Sequence, residues 1–282
     1  MNILDAILLG IIQGLTEFLP ISSTGHLTVA GKLLNLISPD KPQEWTAFIA
    51  VIQLGTMLAI LVYFWKDLVQ ILISFWKENV SRRVAFSGQS FQSRTGWFII
   101  VGTLPVVFIG LIFKHAIEGA FTKDLYVIAI NLIIFAILLA IAEKFGKRVK
   151  TEKDLSLFDS LFIGIAQAFA LIPGASRSGT TITGGLFRGL KREDAARFSF
   201  LLSIPAVLAS GLLELYQSLD ILNGTMWINL IISTLAAAIS GYLAIDFLLK
   251  YLRKHSTYIF IYYRIFAGII ILILIGYNII QP

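Results

Sequence analysis

The sequence predicts an all-α integral membrane protein with six transmembrane helices and two re-entrant helical hairpins, ten helical segments in all, arranged as an inverted repeat. Three observations predict this fold class. The first is composition: of 282 residues, 57% are hydrophobic and only 14% are charged, whereas soluble domains have about 45–50% apolar and about 25% charged residues. The second is a set of six long apolar segments, and the third is a pair of short apolar hairpins with polar turns.

The same composition excludes several classes of function. Cytosolic enzymes, secreted disulfide scaffolds and nucleic-acid binders are too polar to match a mean hydropathy of +0.82. The net charge of +6 and the pI of about 9.5 are typical of a membrane protein with basic cytoplasmic loops beside anionic lipid. The absence of cysteine excludes a disulfide, a thiolate nucleophile and a Cys-ligated metal. The three histidines, His26, His115 and His255, are too scattered for a His-rich metal site.

The crossing segments are predicted from length, because about 20 apolar residues span the roughly 30 Å of hydrocarbon in a bilayer. They lie at about 45–65, 96–113, 125–142, 197–216, 226–249 and 258–280. Four shorter segments lie at about 2–19, 25–37, 157–172 and 179–188. These four form two pairs, and each pair is joined by a polar turn, residues 20–24 (the first tip) and residues 173–178 (the second tip).

A polar turn cannot face lipid, because each unpaired backbone group would cost several kcal/mol in hydrocarbon. It is tolerated inside a protein cavity, so both pairs are interpreted as re-entrant hairpins whose tips lie near mid-membrane. The alternative is two ordinary transmembrane hairpins with polar turns at the surface. Both interpretations cross the membrane an even number of times, so the topology of the chain is the same in each.

Positive charge predicts the orientation. Of the 23 Lys and Arg residues, four lie towards the side of the two termini and seventeen towards the opposite side, while Arg177 and Arg264 lie at depth and are left out of the count. By the positive-inside rule, both termini are outside the cytoplasm. Arg264 is six residues inside its span, so we expect it to snorkel to the cytoplasmic interface. The polar residues 79–94 are expected to form a solvated cytoplasmic connection, with a site for a partner as the alternative.

The two halves of the chain predict an inverted repeat within one membrane domain, 1–282. Each half, about 1–145 and about 155–282, contains one short pair and three spans, an odd number of crossings, so the second half is inverted relative to the first. Such repeats place a site at the midplane, where the tips meet. The residues that match are Gly10-Ile11-Ile12-Gln13 with Gly164-Ile165-Ala166-Gln167, Pro20 with Pro173, Ser23 with Ser176 after a one-residue gap, and Gly25 with Gly179.

The first tip and its flanks carry a carboxylate, a histidine and hydroxyls. Gln13 and Glu17 are four residues apart and share one helix face. A carboxylate at membrane depth is interpreted as functional by default, and Glu17 with Gln13 could ligate Mg²⁺ or Ca²⁺, which prefer oxygen; the alternative is a polar hinge. His26 lies three residues after Ser23, so the two are near neighbours, and a hydroxyl nucleophile with an adjacent base needs at least such a pair. The alternative is that His26 has only a structural role. Ser22 and Thr24 supply further hydroxyls.

The second tip is a candidate phosphate-binding turn. Arg177 is always charged and can bind phosphate through two donors, and the helix that opens beside it presents free N–H groups and a positive dipole end. An arginine at this depth needs an anion, either a substrate diphosphate or Glu17 in an internal ion pair without catalysis. The small and hydroxyl residues around Arg177 are Gly174, Ser176, Ser178, Gly179 and Thr181.

Gathered at one midplane site, these groups suit phosphoryl transfer, in which positioning and charge neutralisation do most of the work. A cavity at bilayer depth also implies a substrate with a lipid tail. The same architecture of inverted repeats and broken helices is that of a carrier, so a lipid-phosphate transporter or flippase that uses this site is the competing hypothesis.

The two motifs, QGLTEFLPISSTGHL at residues 13–27 and PGASRSGTT at residues 173–181, resemble the paired signatures of the undecaprenyl-diphosphate phosphatase family, also called the bacitracin-resistance proteins. The resemblance covers essentially the whole chain. It implies a bundle of inverted repeats with two re-entrant hairpins in the bacterial inner membrane. It also implies hydrolysis of undecaprenyl diphosphate to undecaprenyl phosphate and inorganic phosphate at the outer face, which recycles the cell-wall lipid carrier and confers bacitracin resistance.

The resemblance also implies roles for single residues. Glu17, His26, Ser176, Arg177, Ser178 and Thr181 match functional positions of the family, and Ser23 is a candidate nucleophile. The family has Glu or Gln followed by Glu after three residues; Gln13 is the neutral variant, which weakens a two-carboxylate metal site. A second histidine, which the acid-phosphatase-type lipid phosphatases need after their Ser-Arg element, is missing between Arg177 and His255, so that family is rejected.

The resulting hypothesis has a divalent cation, held partly by Glu17, that bridges the diphosphate oxygens. Arg177 and the N–H groups of residues 176–181 stabilise the transferred phosphoryl group, and Ser23 or a water attacks with help from His26. The expected partners are a polyprenyl diphosphate and the surrounding membrane lipids, with no nucleic acid; the sequence leaves the oligomeric state open.

Overall fold

The computed structural model describes residues 1–37, 42–113, 124–218 and 224–281. Within these ranges the chain is all-helical, apart from an isolated bridge between Lys150 and Leu190. Its α-helices are α1 (Ile3–Phe18), α2 (Ser23–Leu33), α3 (Pro42–Tyr63), α4 (Trp65–Phe75), α5 (Phe91–Ile112), α6 (Leu125–Phe145), α7 (Leu157–Ala168), α8 (Arg177–Phe187), α9 (Arg192–Ser218), α10 (Gly224–Leu252) and α11 (Tyr258–Gly276).

The six predicted spans are confirmed as helices that are long and apolar enough to cross a membrane. They are α3, α5, α6, α9, α10 and α11, with apolar stretches of 19 to 26 residues. The four predicted short segments are also helical: α1 has 16 residues, α7 has 12, and α2 and α8 have 11 each. At 1.5 Å per residue, a helix of 11 residues covers only about half of the hydrocarbon thickness.

Among the residues that the structure describes there are eleven α-helices, one more than the ten helical segments predicted, because residues 65–75 form a separate helix, α4. The chain kinks at Phe64, whose φ of −99° and ψ of 18° interrupt the helix, and α4 then continues into one π-helical turn, Trp76–Ser81. Trp65 and Leu72 are exposed while Ile71 is buried. Hydropathy did not predict α4, because this helix is amphipathic and carries Lys66 and Asp67 in its first turn, whereas a predicted span is uniformly apolar.

The connection after α4 is mostly exposed over residues 81–88, as the sequence led us to expect, but its flanking residues are docked by hydrogen bonds. Asn79 Oδ1 accepts hydrogen bonds from Gln89 Nε2 at 2.8 Å and from Trp97 Nε1 at 2.9 Å. Gln89 is buried, and it accepts a further bond from the hydroxyl of Ser93 at 3.1 Å. These bonds dock the connection onto the start of α5.

Small residues allow the two short hairpins to pack closely against long helices. In the first hairpin α1 lies on α10, and a Cβ added at Gly10 would fall 2.3 Å from the carbonyl oxygen of Ser233. In the second hairpin α7 lies on α5, and a Cβ at Gly164 would fall 2.2 Å from the carbonyl oxygen of Gly102. Such contacts between backbones are a common way for membrane helices to associate.

The two hairpins also begin alike. Asn2 and Asp5 form a reciprocal capping box at the start of α1, and Ser156 and Asp159 form one at the start of α7. Each box satisfies orphan N–H groups of its helix. The helix that leads into each tip therefore has a capped N-terminal end.

A network of ion pairs ties together the connections that carry most of the basic residues. Glu143 pairs with Arg148 at 2.7 Å and with Arg192, and its Oε2 accepts from the Thr257 hydroxyl at 2.8 Å. Asp159 pairs in the same way with two basic residues, Lys150 at 3.0 Å and Arg188 at 2.5 Å. The basic end of the bundle is thus held by buried carboxylates.

Candidate active site at the hairpin tips

Both tips turn through the same strained backbone. Ser22 caps α2 with φ 76° and ψ 97°, and Ser176 caps α8 with φ 70° and ψ 113°. Positive φ is uncommon for a residue with a side chain, and residues held in such conformations cluster at functional sites. Each serine hydroxyl accepts a bond from the N–H three residues on, that of Gly25 at 3.3 Å or Gly179 at 3.2 Å.

This shared geometry corrects one predicted match. The sequence alignment paired Ser23 with Ser176, but the serine of the first hairpin that has the same cap geometry as Ser176 is Ser22. Ser22 and Ser176 are the same distance apart in sequence as Gly25 and Gly179, and as Gln13 and Gln167, so these three pairs align without a gap. The predicted match of Pro20 with Pro173 does not fit this alignment, because those two prolines are one residue closer together. With this alignment, Ser23 is equivalent to Arg177.

The predicted meeting of the tips is observed. Arg177 Nη2 of the second tip lies 3.0 Å from Glu17 Oε1, at the end of α1. The Ser178 hydroxyl donates to the Leu19 carbonyl at 3.0 Å. The Arg177 and Glu17 side chains are only 12% and 5% exposed, so this contact is an ion pair in a largely water-free setting.

Glu17 is the centre of the polar cluster. Its second oxygen, Oε2, accepts from the Ser23 hydroxyl at 2.7 Å and from Gln13 Nε2 at 3.1 Å. One carboxylate thus contacts the predicted nucleophile, the predicted phosphate-binding arginine and the predicted metal-ligating glutamine. Glu17 is positioned to accept a proton from Ser23.

His26 does not hold Ser23, contrary to the pairing that we predicted. Its Nδ1 lies 2.7 Å from the carbonyl oxygen of Ser22, and its Nε2 lies 2.6 Å from the hydroxyl of Tyr263. Because a carbonyl can only accept, Nδ1 carries the proton, and in the neutral ring Nε2 accepts from Tyr263. Sequence reasoning missed Tyr263, which lies 237 residues from its partner.

Arg264 is buried, and the expectation that it snorkels is wrong. It is 0% exposed and donates to the carbonyl oxygens of Gly174 at 3.1 Å and Ala175 at 2.9 Å. Longer contacts reach the carbonyl of Pro20 at 3.5 Å and that of Leu132, on α6, at 3.2 Å. A single side chain of α11 therefore binds the backbone of both tips.

Of the remaining predicted binding residues, some are buried and hold the backbone of the tips, and others are partly exposed. Thr181 is buried and bonds the Arg177 carbonyl at 2.7 Å and the Ser199 hydroxyl at 2.5 Å, so it holds the start of α8. Gly174 has φ +85°, and a Cβ there would lie 2.3 Å from the Ile128 carbonyl oxygen. Thr24 is half-buried in the first turn of α2.

The residues around Glu17 fit a hard divalent cation as an incomplete shell. Gln13 Oε1 is buried without a hydrogen-bond partner in the described part of the chain, and with Glu17 and Ser23 it forms a set of oxygen donors. Within the described ranges, no group of three or more His, Asp or Glu residues is arranged so that it could hold a metal ion. Mg²⁺ commonly needs only one or two carboxylates and completes its shell with water and substrate phosphates, so this donor set is compatible with such an ion.

Comparison with known proteins gives a consistent result. A family model described as bacitracin resistance protein BacA matches residues 6–270. The undecaprenyl-diphosphatase of Syntrophobacter fumaroxidans is 56% identical over 268 residues, which cover 95% of each chain. That of Chlorobaculum tepidum is 49% identical over 285 residues, 98% of each chain, and that of Chlorobium phaeovibrioides is 46% identical over 291 residues, with full coverage of both.

Proposed function

The chain belongs to the bacitracin resistance protein BacA family, and from this premise we propose that it is a multi-pass membrane phosphatase that hydrolyses undecaprenyl diphosphate to undecaprenyl phosphate and inorganic phosphate. The observation that carries the assignment is the cluster in which Glu17 of the first hairpin meets Arg177 of the second. The names of the relatives identify the substrate class. Hydrolysis of this diphosphate returns the cell-wall lipid carrier and underlies resistance to bacitracin.

The chemistry follows from where the polar groups point. Arg177 and the N–H groups at the start of α8 bind the phosphoryl group that is transferred, as helix N-termini and guanidinium groups do for anions. Ser22 and Ser176, by their strained caps, fix the two helix starts that approach the phosphates. When bound near Gln13 and Glu17, a divalent cation, Mg²⁺ or Ca²⁺, supplies further neutralisation of the diphosphate charge.

Glu17 is the base in this proposal. If Ser23 attacks the terminal phosphorus, its proton passes to Glu17 Oε2, 2.7 Å away, the bond to the bridging oxygen breaks and undecaprenyl phosphate leaves. Water then hydrolyses the phosphoserine. If water attacks directly, Glu17 takes the proton from water and Ser23 remains a hydrogen-bond donor to Glu17. His26 acts through the Ser22 carbonyl, which it binds at 2.7 Å, and not on Ser23 itself.

The inverted repeat and the re-entrant hairpins belong to the same proposal. In the repeat, α1 is equivalent to α7, and α5 is equivalent to α10. A two-fold axis would therefore convert the contact of α1 with α10 into a contact of α7 with α5, and both contacts are present. The matching capping boxes and serine caps support it. With Lys and Arg concentrated on one side, the termini and the opening of the site face the outside of the bacterial plasma membrane. A reporter at either terminus that proved cytoplasmic would contradict this orientation.

The decisive experiment measures phosphate release from a long-chain prenyl diphosphate by detergent-purified protein, with divalent cation and with chelator. Release that depends on the cation supports the phosphatase. Proteoliposomes test the competing carrier in parallel: translocation of lipid phosphate without phosphate release by the folded protein would replace the hydrolase with a transporter.

A further inference from the structure

Gln167, on α7, is a buried polar residue that the mechanism above does not use. Its side chain is 1% exposed, and neither its Nε2 nor its Oε1 has a hydrogen-bond partner within the described part of the chain. A buried amide left unpaired is costly, and the great majority of buried polar groups are paired. Two unpaired atoms on one side chain point to a ligand that can both accept and donate.

The position of Gln167 places it in the second hairpin beside the start of α8. α7 and α8 run antiparallel, and a Cβ added at Gly184 would lie 2.9 Å from the Cβ of Ala166 and 3.4 Å from the Cα of Ile163. Gln167 is one residue nearer the tip than Ala166, so it lies level with the turn of α8 that contains Thr181.

The repeat explains why Gln167 is unpaired. Gln13, its counterpart in the first hairpin, donates from Nε2 to Glu17 Oε2, four residues on. The residue four positions after Gln167 is Leu171. The second hairpin has thus kept the glutamine amide without the carboxylate, and its donor is free to bind an anion from outside the chain.

A second unpaired donor lies on the same hairpin. Arg177 uses Nη2 for Glu17 and Nη1 for the carbonyl of Ser199 at 3.4 Å. Its Nε is buried and has no partner among the described residues. The hairpin therefore offers two donor nitrogens, Gln167 Nε2 and Arg177 Nε, and one acceptor, Gln167 Oε1.

Hydrogen phosphate matches this set of groups. Its ionised oxygens accept from N–H donors, and its remaining P–OH group donates to a carbonyl such as Oε1. A lipid diphosphate near neutral pH offers mainly acceptors, so it would leave Oε1 unsatisfied. We propose that Gln167, with Arg177 Nε–H, binds the inorganic phosphate released from the substrate, as a product subsite in the second hairpin. This inference rests on the proposed function for its source of phosphate.

The test is equilibrium binding of radiolabelled inorganic phosphate to the purified full-length protein, together with phosphate inhibition of hydrolysis. Gln167→Leu removes both polar atoms at nearly constant volume. Because a hydrogen bond to a charged group is lost, we expect phosphate affinity to fall about tenfold or more, and the inhibition constant to rise by the same factor. The rise in Tm that phosphate produces by binding the folded state should shrink accordingly.

Two further variants keep the result interpretable. Gln167→Glu preserves the shape but places a negative charge beside the anion, so it should also weaken phosphate binding, and more strongly as pH rises. Thr103→Val is the matched control, because Thr103 is buried on the adjacent α5 and its hydroxyl is satisfied by the Ile99 carbonyl at 2.7 Å. It should leave phosphate affinity unchanged.

Unchanged phosphate affinity in a folded Gln167→Leu protein would overturn the subsite. If leucine prevents folding, Gln167→Met makes the same apolar replacement with a more adaptable side chain, and the same criterion applies. Binding needs no turnover, so the two proposals fail separately: an active wild type with unaltered phosphate binding in the variants refutes the subsite alone, whereas a folded, inactive wild type refutes the phosphatase.

Discussion

Replacing Arg177 by alanine is the perturbation that most directly tests the site. Arg177→Ala removes the guanidinium that lies 3.0 Å from Glu17 Oε1 and leaves the Glu17 carboxylate, 5% exposed, without its cationic partner. It also removes the Nη1 contact to the Ser199 carbonyl, and with it the Nε–H group that has no partner among the described residues. The variant therefore tests catalysis and the junction of the two hairpins at once.

The magnitude can be worked from these contacts. An arginine that stabilises a transferred phosphoryl group is worth at least about 10³ in rate, or about 4 kcal/mol of transition-state stabilisation. Removal of one partner from a buried ion pair costs about 3–5 kcal/mol of folding stability. We therefore expect a loss of activity on the order of 10³-fold and a clear fall in Tm.

The assay compares phosphate release from a long-chain prenyl diphosphate by wild type, Arg177→Ala, Glu17→Ala and the double variant. Residues that act as a unit show non-additive losses, so the double variant should be little worse than either single one. Arg253→Ala is the matched control. Arg253 is 60% exposed, and its ion pair with Glu193, at 2.7 Å, does not involve the tips. Activity of Arg177→Ala within tenfold of wild type would mean that the site lies elsewhere.

Four further predictions can be checked with the same preparations. Tyr263→Phe removes the 2.6 Å bond to His26 and should lower kcat about tenfold with little change in KM; an unchanged kcat and pH profile would give His26 a purely structural role. Gly179→Ala, whose Cβ would fall 2.5 Å from Arg264 Nη1, should lower Tm and activity together, and an unaltered Tm would contradict the tight fit. Burial, outweighing Arg197, raises the pKa of the Glu152 carboxyl from 4.5 to about 7. The folded chain therefore binds more protons than the unfolded chain between these values, so stability should fall as pH rises through this window. Glu152→Gln should remove that fall in a Tm series from about pH 5 to about pH 8, and parallel curves would refute the assignment. Chelation of divalent cations should abolish phosphate release and restoration of Mg²⁺ or Ca²⁺ should recover it, whereas full activity in chelator would remove the metal from the mechanism.

Hydropathy was sufficient to predict the crossing helices, because a bilayer requires uniform apolar runs of a given length. It also pointed to the tips, because polar turns between apolar helices need a protein cavity. It could not find α4, whose one exposed apolar face depends on how it docks beside α5. The docking of residues 79–94 through Asn79 and Gln89 is likewise a tertiary result.

The site was predicted at the level of residue types but not of partners. Charge indicated that Arg177 needs an anion and left two candidates, Glu17 and a substrate diphosphate; the structure shows the contact with Glu17. The pairing of Ser23 with His26 followed from sequence proximity and is wrong, because the helix that begins at Ser23 turns His26 back onto the Ser22 carbonyl. Glu17, six residues before Ser23, reaches it across the tip at 2.7 Å.

The burial of Arg264 follows from the needs of the irregular backbone at the tips. A tip with irregular backbone leaves carbonyl groups without helical partners, and inside a bundle water cannot satisfy them. Gly174 and Ala175 at one tip and Pro20 at the other are such groups, and one guanidinium has enough donors in a planar fork to reach all three. Two irregular turns that meet inside an apolar helical bundle therefore require a buried donor with several N–H groups from a neighbouring helix. An arginine several residues inside an otherwise apolar span, as at position 264, is the candidate for that role before snorkelling is considered. By this argument Arg264→Lys should keep the positive charge but lose the contacts to the backbone of the tips, because lysine cannot bridge three carbonyls. We expect a large loss of activity with only a small fall in Tm, and activity near that of wild type would refute the argument.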